Sequence, residues 1–303
     1  MELKVSQINI ADKIISLELE ENLSFWSMWP WKLDPFWIGE SSCCTTSDMK
    51  ISLIKKKYSS SYDLNDLKLL YQEHTSIFFR KVYRLPNGDT LWLLTGSNID
   101  NPEMILEFIV SANWKKIQLL EDYTQSQGQV AFEYLAQMMP GVLANEHMLS
   151  FHSALVECHG YAFAVCGESG VGKTTHARLW RDYKNAIILN GDRSICKRID
   201  NQWMAYGSPW SGTSGEQMNR STPFKGIVVL KQSSKNTVEQ LSGIDAFSAL
   251  FHHLVYPSWD VDIVNNVMDE FDAFLTDIPV YLLNCKPDQE AVDVLEQALY
   301  KEK

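Results

Sequence analysis

Gly167-Glu168-Ser169-Gly170-Val171-Gly172-Lys173-Thr174 fits the spacing G-x-x-x-x-G-K-[ST]. The chemistry served by that spacing is phosphate binding. Glycines let main-chain N–H groups turn inward around phosphate oxygens, the lysine reaches the outer phosphates, and the last hydroxyl ligates Mg²⁺. We therefore place Gly167 through Thr175 against a nucleotide, with Ser169 better suited than Glu168 to touch it. Asp192 is the best-placed carboxylate for the remaining work, since it follows an apolar run, Ala186 to Asn190, at the end where α/β sheets hold ligands. It could hold Mg²⁺ beside Thr174, accept a hydroxyl proton, or only cap a turn after Gly191. Arg193 could steady charge on a transferring group, or be a surface cation. His152 lies fifteen positions before Gly167, and a lone histidine is either a structural residue or part of the site.

These residues need particular elements to hold them. Tyr161 to Cys166 reads as a short buried strand bounded by Gly160 and Gly167. Thr175 to Tyr183 reads as an amphipathic helix whose N-terminus would add its positive dipole end to the loop. Leu149 to Cys158 is expected to pair with the strand feeding the loop, across His159-Gly160. Ser194 to Ile199 and Trp203 to Tyr206 flank Asp200-Asn201 as a hairpin, and Ile227 to Leu230 is a buried strand. Ile244 to Val255, Val261 to Leu275 and Gln289 to Tyr300 read as helices, with Val280 to Leu283 as a strand between the last two. The alternation predicts an α/β core, a mixed sheet carrying helices.

Residues 1–145 read differently. Val5 to Ile10 and Ile14 to Glu20 suggest a hairpin, and Phe78 to Leu85 and Thr90 to Thr95 flank the turn signal Asn87-Gly88. Met104 to Val110 and Trp114 to Leu120 add strands, and Gln129 to Met139 a helix that Pro140-Gly141 should stop. This predicts a β-rich α+β domain without a catalytic constellation. Trp26, Trp29, Trp31 and Trp37, interrupted by Pro30 and Pro35, are either an aromatic core plug or a groove for an extended peptide. Residues 41–48 and 55–63 are polar loops, and Lys55-Lys56-Lys57 a solvated face.

The 303 residues suit two domains, 1–145 and 146–303, and carry 45% hydrophobic and 21% charged residues, a globular composition. A net charge of −11 argues against nucleic acid or an anionic membrane surface as partner. Residues 1–20 do not read as a secretory signal, and no apolar run is long enough to span a bilayer. Six cysteines, at 43, 44, 158, 166, 196 and 285, lack C-x-x-C spacing. That favours a reducing, cytoplasmic setting without zinc or disulfides, and Cys166 and Cys196 as small apolar strand residues. A homo-oligomer is compatible with all of this.

His152-Ser153-Ala154-Leu155-Val156, Gly160, the loop from Gly167 to Thr175, and Ile188-Leu189-Asn190-Gly191-Asp192-Arg193 together resemble the catalytic domain of HPr kinase/phosphorylase. They also resemble the wider HPr-kinase-related, phosphoenolpyruvate-carboxykinase-like proteins, and Gly207 to Gly212 fits the latter. The resemblance covers about residues 147 to 300. It implies a P-loop kinase core using ATP and Mg²⁺, with Lys173 on phosphate, Thr174 and Asp192 on the metal, and His152 supporting the catalytic acid. That family carries two adjacent aspartates after this strand, whereas here one of the two positions is Gly191 or Arg193. Arg220, in a Gly- and Ser-rich segment, occupies a place comparable to substrate contacts. The expectation is a kinase acting on a Ser or Thr hydroxyl of a peptide or small protein. A small-molecule kinase acting on free serine, a nucleotide-dependent sensor and a carboxykinase are the alternatives.

Overall fold

The computed structural model describes residues 3–20, 31–40, 47–55, 62–76, 78–96, 104–121 and 128–300. Residues 25–30 of the Trp-rich segment, Cys43, Cys44 and the Lys56-Lys57 pair lie outside these. The chain divides into two compact units, residues 1–142 and 143–303, and the whole is mixed α/β with large sheets and few helices.

The first unit is one nine-stranded sheet. Its strands are β1 (Leu3–Ile10), β2 (Lys13–Glu20), β3 (Trp37–Glu40), β4 (Met49–Lys55), β5 (Lys68–His74), β6 (Phe78–Arg84), β7 (Thr90–Gly96), β8 (Met104–Val110) and β9 (Lys116–Glu121). They lie in the order β3-β1-β2-β4-β9-β8-β7-β6-β5, antiparallel except where β4 runs parallel to β2 and β9. Alternation buries Ile8, Ile10, Ile15 and Leu17 on the packed face. Asn87-Gly88 turns the β6–β7 hairpin, with Gly88 at φ +88°. Helix α1 (Gly128–Ala144) does not stop at Pro140-Gly141 but runs through them. The reason is packing, because a Cβ on Gly141 would overlap the Trp114 ring. Trp31–Phe36 forms a short 3-10 helix that buries Leu33 and Phe36 and leaves Trp31 57% exposed.

The second unit holds β10 (Met148–His152), β11 (Ala154–Cys158), β12 (Tyr161–Cys166), β13 (Ile187–Asn190), β14 (Arg193–Ile199), β15 (Gln202–Tyr206), β16 (Ser221–Gln232), β17 (Thr237–Leu241) and β18 (Val280–Cys285). Its helices are α2 (Lys173–Lys184), α3 (Gly243–Phe251), α4 (Val261–Asp277) and α5 (Gln289–Tyr300). The sheet order is β10-β14-β15-β16-β12-β11-β13, with β18 beside β16 and β17 beside β18. β12, β16 and β18 run parallel, so their C-terminal ends share one edge. β13 is antiparallel to β11, which is antiparallel to β12. The end of β13 therefore reaches that same edge. Helix α2 covers the sheet through Ala177 and Trp180, the latter against Phe163 with ring centroids 4.6 Å apart. α5 seals the same core with Ala291, Val292, Leu295 and Leu299.

Two sequence expectations fail here. Leu149 to Cys158 is not one strand beside β12. The chain breaks at Ser153, whose N–H donates to the Asp192 carbonyl (2.9 Å). Only β11 pairs with β12, while β10 pairs with β14. Residues 252–255 are not helical either. α3 ends at Phe251, and the chain then extends along β10, with His152 N–H donating to His253 O (2.8 Å) and Val255 N–H to Ser150 O (2.9 Å).

Candidate functional site

The loop leaves β12 at Gly167 and enters α2 at Lys173. Three of its glycines hold backbone conformations that side chains disfavour: Gly167 at φ +146°, Gly170 at +79° and Gly172 at +111°. At Gly167 the space is closed as well, for a Cβ would lie 2.8 Å from Val171 Cγ1 and 3.0 Å from Leu230 O. Gly172 caps α2 from the left-handed region without a side-chain hydrogen bond. That leaves the first-turn N–H groups for an anion, where the helix dipole also favours one. The Lys173 ammonium is folded over the loop, donating to the carbonyls of Gly167 (3.0 Å) and Glu168 (3.2 Å). Thr174 is half-buried, while Glu168, Ser169, Gly170 and Thr175 are exposed.

Asp192 sits just past β13, on a turn organised by a residue that sequence reasoning treated only as a strand end. The buried Asn190 side chain accepts from the N–H groups of Asp192 (2.8 Å) and Arg193 (2.6 Å) and donates to Ser208 O (2.7 Å). One amide thus sets both the direction of the turn and its distance from the strand. The signal was available, since Asn before Gly-Asp at a strand end is a common turn former. At Gly191 no side chain fits. A Cβ there would collide with Ser214, whose Oγ donates to Ser211 O (2.7 Å).

His152 ends β10, and its Nδ1 lies 3.4 Å from Asp192 Oδ1. Arg193 Nε approaches the other oxygen at 3.8 Å. Burial lowers the His152 pKa below its ordinary 6.5; Asp192 opposes this, and Lys173 and Arg193 reinforce it. The sheet therefore gathers His152, Asp192, Lys173 and Arg193 at one edge. His253, not anticipated from sequence, joins them. Its pKa is lowered by burial and by Lys173, His152 and His252, with Glu168 opposing. No local pattern marks it, because extended pairing with β10 brings it there.

Arg220 is not brought to this edge. It forms an ion pair with the buried Glu157 of β11. Glu157 sits opposite Ala162 at the start of β12, the end away from the loop. Cys166 lies directly beneath the loop, fully buried, with its thiol pushed up to about 12 by burial. That supports an apolar role. His176, on the first turn of α2, is held by burial at about 4 and is neutral at pH 7.

The glycines leave the loop free of side chains where a phosphate chain would lie, and Thr174 and Asp192 are the residues whose oxygens would suit Mg²⁺ if a magnesium nucleotide bound there. No group of three or more His, Cys, Asp or Glu suited to a metal occurs among the described residues, so an all-protein metal cage is not built there. No helix among them is long and apolar enough to cross a membrane.

No protein-family model matches the chain, and no curated protein sequence does. Among solved structures, the Hpr(Ser) kinase/phosphatase from Coxiella burnetii is similar over 49% of this chain and 95% of that chain, at 9% sequence identity and a TM-score of 0.31.

Proposed function

We propose that the protein is a Mg·ATP-dependent kinase that phosphorylates a Ser or Thr hydroxyl of a peptide or small protein. The observation that carries this reading is the His152–Asp192 pair standing at the same sheet edge as a glycine-lined loop with its lysine in place. Bound Mg·ATP would supply the phosphoryl group and neutralise its charge, with Thr174 and Asp192 holding the metal and the loop amides and Lys173 the phosphates. His152 Nδ1 faces Asp192 Oδ1 at 3.4 Å, and a proton held on that side would leave Nε2 to accept the hydroxyl proton. The lowered pKa keeps that nitrogen unprotonated at pH 7. Arg193 backs Asp192 and adds positive charge near the transferring group.

The cleft beside the loop, lined by Glu168, Ser169, Asp245, Ser248 and His253, encloses about 1030 Å³. That lies at the upper end of the range for small-molecule pockets, about 1,000 Å³, and includes the loop residues that would hold the nucleotide phosphates. Gly191 favours a second reading, a nucleotide-dependent sensor, because Ser214 fills the place of a second carboxylate. γ-Labelled ATP with Mg²⁺ and a lysate of the source separates the two. A kinase labels a discrete acceptor, and Lys173→Ala abolishes the label. Equal labelling by the variant ends the kinase reading, and calorimetric ATP binding without any transfer establishes the sensor.

A further inference from the structure

The Asp192 side chain is 28% exposed, and an aspartate so lightly covered would ordinarily exchange rotamers. One neighbour restricts it. A Cβ on Gly212 would lie 2.9 Å from Asp192 Cγ, 3.0 Å from its Cβ and 3.2 Å from Oδ1. Gly212 therefore lays bare backbone against the carboxylate. The oxygen it meets, Oδ1, is the one that faces His152 Nδ1 at 3.4 Å. Gly212 holds φ +56°, a conformation that asparagine and aspartate also adopt. Backbone geometry alone would thus admit other residues, and the contact with Asp192 is what excludes them.

The segment carrying Gly212 is anchored at both ends, which holds it against the carboxylate. Trp210 and Ser211 are buried where it begins, and Ser211 Oγ donates across it to Gln217 Oε1 (2.8 Å). Where it ends it runs along β13. Gly191 N–H donates to Glu216 O and Met218 N–H to Leu189 O, both at 3.0 Å. The Glu216 carboxylate also meets two arginines of α2, Arg181 Nη1 at 3.0 Å and Arg178 Nε at 3.6 Å. α2 is the helix that opens at the glycine loop. Residues 211–217 thus tie the Asp192 turn to the element that begins where phosphates would sit.

We infer that Gly212 is a positioning residue: lacking a side chain, on a segment fixed to β13 and α2, it lets the Asp192 carboxylate lie toward His152. Its share in catalysis rests on the kinase reading above; the contact itself does not, and two measurements keep them apart. The first is a double-mutant cycle in urea unfolding of the full chain, with Gly212→Ala, Asp192→Gly and the pair. Gly212→Ala should lower the midpoint, and that loss should shrink by about half or more in the Asp192→Gly background, where the colliding atoms are gone. Gly215→Ala strains the same segment at φ +70°, and its loss should be the same in both backgrounds. The second is the rate at which label passes from γ-labelled Mg·ATP to the acceptor in a lysate of the source. At saturating ATP, Gly212→Ala should slow transfer by about ten- to a hundredfold. KM for ATP should change little, because Lys173 and the loop glycines are untouched. Gly215→Ala should keep nearly the wild-type rate. Additive losses in the cycle, a wild-type rate in Gly212→Ala, or an equal slowing in Gly215→Ala each overturn the inference. A wild type that transfers no label removes the kinase reading alone, and the cycle still decides on the contact.

Discussion

Asp192 and His152 make opposite demands on each other, and a pH profile can read the result. Burial sets the His152 pKa below 6.5 while the Asp192 charge pulls it upward. If Nε2 of His152 takes the acceptor proton, kcat/KM rises with pH through that lowered pKa and levels off above it. His152→Gln should cost about 10²–10⁴ in kcat and abolish that acid limb. Asp192→Asn removes the one upward influence that is a full charge, so the limb should move to lower pH as the rate drops. A limb that stays in place in Asp192→Asn would show that the carboxylate does not act through the imidazole.

At the scale of the element, the turn after β13 decides how many carboxylates the site can own. Ser214 occupies the volume a side chain at Gly191 would need, and its own hydrogen bond to Ser211 O fixes it there. Gly191→Ala should therefore destabilise the protein by about 1–3 kcal/mol in urea unfolding, the usual cost of overpacking. Ser214→Gly in the same chain should restore most of the loss. A Gly191→Ala variant as stable as the wild type would mean that the turn moves freely. What the sequence made legible here follows from range. The glycine loop, its strand and its helix are contiguous, so spacing alone revealed them. The break at Ser153, the placement of His253 and the pairing of Arg220 with Glu157 depend on partners far away in sequence, for which no local pattern exists. Pro140-Gly141 reads as a stop signal, yet the fit of Gly141 against Trp114 overrides it.

For the molecule as a whole, acid should act through histidines rather than through overall charge. With 38 acidic against 27 basic residues, the chain carries −11 at pH 7. Mild acid moves that total toward zero, and relief of self-repulsion would by itself raise stability as pH falls. The buried histidines predict the reverse. His176 titrates at about 4 in the fold and at an ordinary 6.5 once unfolded. Between those values the unfolded chain binds a proton that the native state refuses. Stability is therefore flat above 6.5, falls as pH drops toward 4, and has lost about 3 kcal/mol from this residue at the lower limit. His152 and His253, also lowered, act in the same direction. His176→Phe leaves the Trp180 N–H without its acceptor and should lower stability at pH 7 by about 1–3 kcal/mol. Its unfolding free energy should nevertheless vary less between pH 6.5 and 4 than that of the wild type. Chemical denaturation across that window decides the matter, because a wild type that gains stability on acidification would make net charge, not His176, the controlling quantity.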